Sequence, residues 1–143
     1  MAYEFKMMHR VEFSETDMAG IIHFSSYFRY MEVTEHAFFR SLGLTINTRS
    51  TSLGVGWPRV HVSCDFDYPL RFEDEVEVHL LVREKSERSL TYDFVFRKFN
   101  VDPVVEVARG LLTVVCVKED ESGTMKSVPI PAVIAEKIQM APS

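Results

Sequence analysis

Residues 24–43 read Phe-Ser-Ser-Tyr-Phe-Arg-Tyr-Met-Glu-Val-Thr-Glu-His-Ala-Phe-Phe-Arg-Ser-Leu-Gly. Phe28, Met31, Phe38, Phe39 and Leu42 recur at helical spacing, with Glu35 as the interruption, and Tyr27, Tyr30 and Ala37 widen the apolar stripe. Ser25 and Ser26 are N-cap residue types, and Gly43 stands where a helix-ending glycine belongs. The pattern predicts one long helix from about Phe24 to Leu42. Its apolar face is broad enough to need cover on several sides.

The flanking sequence has the other period. Before the helix, Met7, His9, Val11 and Phe13 alternate with Met8, Arg10, Glu12 and Ser14, which predicts a strand over Met7–Thr16. After it, Leu44–Gly56 is polar and glycine-containing, a loop. From Pro58 onward the alternation returns in four runs, around Val60–Phe66, Val76–Val82, Leu90–Phe96 and Val105–Val117. Asp102-Pro103 and Glu121-Ser122-Gly123 are turn signals, and Ala132–Ile138 reads as a short helix. Residues 1–143 therefore read as one α+β domain: a buried helix against a mostly antiparallel sheet, its later strands paired as a meander. Such a sheet leaves edges, and pairing with a second copy is the usual remedy.

Composition narrows the function classes. The net charge of −5 argues against a nucleic-acid or membrane-surface binder, both of which want a basic face. Eleven Phe among 143 residues supply enough apolar surface for a real core. Cys64 and Cys116 lie far apart in alternating apolar runs, where Cys behaves as a small hydrophobe, so neither a zinc site nor a disulfide is expected. The start has no apolar leader and no run is long enough to span a bilayer, so the expected compartment is the cytoplasm.

The turn before the helix, Phe13-Ser14-Glu15-Thr16-Asp17-Met18-Ala19-Gly20-Ile21-Ile22-His23-Phe24, resembles the signature of the 4-hydroxybenzoyl-CoA thioesterase-like branch of the hotdog superfamily. The similarity continues through Tyr27–Glu32, Phe39–Gly43, Arg59–Phe66 and Lys85–Leu90, and covers roughly residues 5–135. This resemblance implies a hotdog fold, one long helix wrapped by a curved antiparallel sheet of about five strands. It implies homodimers, many of which pair into homotetramers, with active sites at the dimer interface. It implies thioester hydrolysis of an acyl-CoA by an acidic residue, here Asp17, with the Phe24 backbone N–H binding the thioester carbonyl. No metal and no bound cofactor is implied, since coenzyme A is part of the substrate.

The chemistry is consistent with those residue types. Asp17 can act as general base for water or as a nucleophile. A helix N-terminus offers unpaired N–H groups to a developing oxyanion. Gly20 lets the backbone turn tightly. His23 is a secondary candidate base. Tyr27 could offer its hydroxyl in the pocket. Among Arg59, Arg71, Arg88, Arg97, Lys98 and Arg109, the pool for CoA phosphates, Arg88 beside Ser89 is the first choice and Arg59 another. Glu32 and Glu35, with Arg29 and Arg40, read as surface ion pairs, or Glu35 as meeting a polar group of a partner subunit. Two other functions stay open. Asp17 with His23 is the residue pair of a hotdog enoyl-CoA hydratase or dehydratase, although Met18–Ile22 lacks that signature. A non-catalytic acyl-CoA-binding protein could also keep this turn.

Overall fold

The computed structural model describes residues 1–47 and 51–143. Strand β1 (Glu4–Arg10) leads through a 3-10 turn (Phe13–Glu15) into helix α1 (Phe24–Ser41). Then follow β2 (Val55–Gly56), β3 (Arg59–Phe66), β4 (Glu75–Lys85), β5 (Ser89–Lys98), β6 (Val105–Val115), β7 (Val117–Glu119), β8 (Met125–Ser127) and a one-turn α2 (Ala132–Ala135). Five strands form the main antiparallel sheet in the order β1-β4-β5-β6-β3, and β2-β7-β8 form a small second sheet.

The alternation read from the sequence becomes the inner face of the main sheet. Val78 lies opposite Phe96, Leu80 opposite Phe94 and Val82 opposite Tyr92, and all six are buried. Against this face α1 buries Tyr27, Tyr30, Met31, Phe38 and Phe39. Full burial of each such side chain contributes roughly 1.5–3 kcal/mol relative to exposure. Gly110, at the centre of β6, lets α1 approach: a Cβ there would fall 2.0 Å from the Met31 methyl carbon.

Several expectations are corrected. The first strand stops at Arg10 rather than Thr16, because Val11 turns to exchange backbone hydrogen bonds with Asp74 and Glu73 (2.9 and 2.8 Å). The sheet is not a simple meander. β4-β5-β6 is one, but β3 pairs with β6, and β1 occupies the other side of β4. The 67–74 connection thereby crosses the start of α1, where the Ile22 N–H donates to the Leu70 carbonyl (2.7 Å). The run Val105–Val117 is cut at Cys116, whose N–H leaves the ladder to donate to the Arg88 carbonyl (2.7 Å). The last helix ends at Ala135, and Ile138 instead bridges to Ala2. The expected loop at 44–56 contains β2, and its residues 48–50 lie outside the described residues.

The two sheet edges differ. Near β1 the C-terminal segment is tied on by backbone bonds between Ala2 and residues Lys137 and Gln139 (2.9 Å each). β3 has β6 on one side only, and Val60, Val62 and Phe66 stand exposed on it.

Candidate active site

The turn between β1 and α1 is shaped by its own backbone. The Asp17 N–H donates to the Ile21 carbonyl (2.9 Å) and the Gly20 N–H to the Asp17 carbonyl (3.0 Å). Gly20 closes the turn at φ +77°, a left-handed conformation that glycine adopts without strain. One Asp17 carboxylate oxygen accepts the Ala19 N–H (2.8 Å). The turn is braced from outside by Arg71, whose Nη1 donates to the Gly20 carbonyl (3.3 Å).

Helix α1 begins directly after this turn. Its N-cap is His23, not Ser25 or Ser26: the His23 Nδ1 accepts the Ser25 N–H (3.2 Å) and lies 2.7 Å from the Ser25 hydroxyl. The imidazole also stacks on the Phe24 ring at 4.6 Å. His23 is thus engaged in holding the helix start. The Phe24 N–H, first of the helix, has no hydrogen-bond partner among the described residues. It sits at the positive end of the helix dipole.

A cavity of about 550 Å³ opens beside this junction. Its wall includes Asp17, Ile21, Phe24, Tyr27, Phe66 and Asp67. The Tyr27 ring packs between Phe66 (4.9 Å) and Phe96 (5.2 Å), and burial pushes its hydroxyl up to about 12, so it stays protonated near neutrality. Burial likewise pushes the Cys64 thiol up to about 12, which leaves it too little thiolate to act as a nucleophile. The structure therefore brings Asp17, Gly20, His23, Phe24 and Tyr27 to one place.

It does not bring Arg59, Arg88 and Ser89 there within one chain. Phe66 lies opposite Ala108 on β6 and Arg59 opposite Val114, at the other end of the strand, roughly 23 Å away at strand rise. Ser89 pairs with Val115 at that same far end. Arg88 donates to the Ser127 carbonyl (2.6 Å), and the Ser89 hydroxyl is 2.6 Å from that of Ser86. Arg59 is held by an acid: its Nη2 lies 2.6 Å from the Glu35 carboxylate and 3.4 Å from that of Glu32.

Glu35 itself is fully buried, so it is neither a surface group nor turned toward a partner subunit. Burial pushes its carboxyl upward, and the Arg59 guanidinium pulls the other way. The Tyr92 hydroxyl is buried close to Glu35 without a hydrogen bond of ordinary geometry, and burial beside that carboxylate pushes it well above the usual phenol range. Asp67 and Phe66 were not anticipated as pocket residues. The crossover from β3 to β4 carries Asp67 to the cavity that Asp17 also lines. Among the described residues, no three His, Cys, Asp or Glu side chains cluster as metal ligands, and no helix is long and apolar enough to cross a membrane.

Residues 11–138 match the sequence model of the thioesterase-like superfamily. The chain belongs to that superfamily. Within it, a 1,4-dihydroxy-2-naphthoyl-CoA hydrolase of Crocosphaera subtropica is 28% identical over 102 residues, 68% of this chain and 72% of that one. A protein of Aquifex aeolicus with a crystal structure is 31% identical, with a TM-score of 0.83 over 94% of this chain and 99% of that one. The structure of 4-hydroxybenzoyl-CoA thioesterase from Pseudomonas sp. strain CBS-3 is 22% identical and superposes with a TM-score of 0.85 over 95% and 99% of the two chains. The likeness to these structures identifies the fold as the hotdog fold, with α1 as its central helix.

Proposed function

We propose that this chain is an acyl-CoA thioesterase whose reaction is carried by Asp17. The single observation behind the reading is the shared cavity: Asp17 and Phe24, the latter with its backbone N–H unpaired among the described residues, both line it. Water attacks the thioester carbon while Asp17 accepts a proton from it, or Asp17 attacks first and water then cleaves the mixed anhydride. The Phe24 N–H stabilises the oxyanion that forms. The carbon–sulfur bond breaks, and the products are the free acid and CoA thiol. His23 caps the helix and Gly20 shapes the turn. The cap on Nδ1 does not favour His23 as a second acid or base, so nothing here favours the hydratase reading.

The acyl group is an aryl one on this reading. Phe24, Tyr27, Phe66 and Tyr68 line the cavity, and the Crocosphaera and Pseudomonas relatives are named for hydroxylated aryl-CoA thioesters. The functional unit is a homodimer paired through β3. An exposed edge strand carrying Val60, Val62 and Phe66 invites a second copy, and two-fold antiparallel pairing sets the Arg59 end of one β3 beside the Phe66 end of the other. Thiol release is measured over a panel of aryl and aliphatic acyl-CoAs, with Asp17→Asn beside the wild type. Release from aryl-CoA that is lost in the variant supports the reading. No release from any acyl-CoA by the folded protein refutes it.

A further inference from the structure

Glu15 collects more of the hydrogen bonds around the candidate site than Asp17 does. Its backbone carbonyl accepts both the His23 N–H (2.8 Å) and the Ser26 hydroxyl (3.1 Å), so one oxygen anchors the first turn of α1. Its carboxylate Oε1 accepts the Tyr30 hydroxyl (2.7 Å) from the next turn of α1 and the Glu12 N–H (2.8 Å) from the 3-10 turn. Oε2 lies 3.7 Å from the His9 Nε2 on β1, and the His9 ring packs on Tyr30 at 4.2 Å. One residue therefore joins β1, the 3-10 turn and two turns of α1. Asp17 follows it by two positions, and Phe24 follows the anchored His23 directly.

We propose that Glu15 is a positioning residue that fixes the Asp17 carboxylate relative to the Phe24 N–H. The proposal rests on the thioesterase reading above and adds to it the element that sets the geometry. Asp17 and Phe24 lie on two segments joined across the turn by a single antiparallel bridge, Thr16 to Ile22, so their separation rests on few contacts and gains from a brace. The Ile22–Leu70 and Arg71–Gly20 bonds hold the outer side of the turn. The Glu15 carbonyl and carboxylate hold its inner side against the helix. Both hydrogen bonds to the Glu15 side chain end on Oε1, so the brace needs an acceptor at that position rather than a negative charge. Tyr30 is buried, and without Glu15 its hydroxyl would lose its partner and α1 would lose its tie to the turn.

The test compares Glu15→Ala, Glu15→Gln and Tyr30→Phe with the wild type, using the acyl-CoA that the wild type hydrolyses best. A displacement near 1 Å at the reacting groups is enough to cost about 10²-fold, so Glu15→Ala should lower kcat by about 10- to 100-fold with KM within about twofold. Glu15→Gln keeps Oε1 as an acceptor and should recover most of that rate. Tyr30→Phe keeps the ring and should lower kcat in the same direction, adding little on top of Glu15→Ala because the two share one bond. Amide hydrogen exchange at His23–Ser26 should be faster in Glu15→Ala and restored in Glu15→Gln. If Asp17→Asn is inactive but Glu15→Ala keeps its kcat, the proposal is overturned while the thioesterase reading stands. Loss in Glu15→Gln equal to that in Glu15→Ala, with unchanged exchange, also overturns it, since the charge would then act directly. A wild type without thiol release removes the reading and the proposal together. Should Glu15→Ala fail to fold, Glu15→Gln and Tyr30→Phe decide alone.

Discussion

Arg59→Met separates two roles for one side chain. The structure commits Arg59 to Glu35, whereas its residue type alone suits a CoA phosphate. Glu35 has no exposure and sits 2.6 Å from the guanidinium, so removing the cation strands a buried carboxylate. Breaking a buried pair in this way costs about 3–5 kcal/mol. The Arg59 side chain is 29% exposed, so water can reach part of the vacated space, which places the cost near the low end. Without the guanidinium, burial holds the Glu35 carboxyl still further above the usual carboxylate range.

The sign of the pH dependence follows. A carboxyl raised in the folded state favours folding while protonated, and that stability is lost as pH rises through the folded pKa. The gap between wild type and Arg59→Met should therefore be larger at about pH 8 than at about pH 5, reaching about 3 kcal/mol once Glu35 is ionised. Urea unfolding at both pH values and at fixed protomer concentration measures it. Glu35→Gln added to Arg59→Met removes the stranded charge and should recover most of the loss at the higher pH. KM for acyl-CoA should stay within about twofold. An equal loss at both pH values, or a double variant no better than the single one, would refute the ion-pair account. A large rise in KM without loss of stability would return Arg59 to the phosphate site.

Three further outcomes are expected. Asp17→Asn should lower kcat by about 10² or more with little change in KM; near wild-type turnover would remove Asp17 from the reaction. Val62→Lys places a charge on the bare β3 edge and should shift the protein toward monomer in sedimentation, with activity falling in parallel; an unchanged assembly would place the interface elsewhere. Gly110→Ala drives a methyl group into the Met31 side chain and should cost about 1–3 kcal/mol in urea unfolding. Met31→Ala should shrink that penalty, and a penalty independent of residue 31 would contradict the close approach of α1 to β6.

The legible parts of this chain are those whose cause is local. Helix α1 runs from Phe24 as its periodicity indicates, because a 3.6-residue repeat is written in consecutive residues. The inner faces of β4 and β5 were readable for the same reason at period two. The Asp17–Gly20 turn was readable because a left-handed glycine and a short acidic turn leave a compact signature.

What the sequence pattern did not contain was any interaction settled by distant residues. Glu35 interrupts an apolar stripe, and polarity alone placed it at the surface. In the fold its partner arrives from β3, 24 positions later, and that ion pair allows the charge to be buried. The chain order suggested β3 beside β4, but strand order is decided by which pairing covers α1 most completely, a property of the assembled layers. That choice brings Asp67 and Phe66 to the cavity that Asp17 lines, sends Arg88 and Ser89 to the far end of the sheet, and leaves the β3 edge bare. The sequence by itself determined one long helix, a set of alternating strands and an acidic turn before the helix. Only the tertiary structure decided which strands pair, which charge is buried and which residues face Asp17, because each depends on burial and hydrogen bonding between segments far apart in the chain.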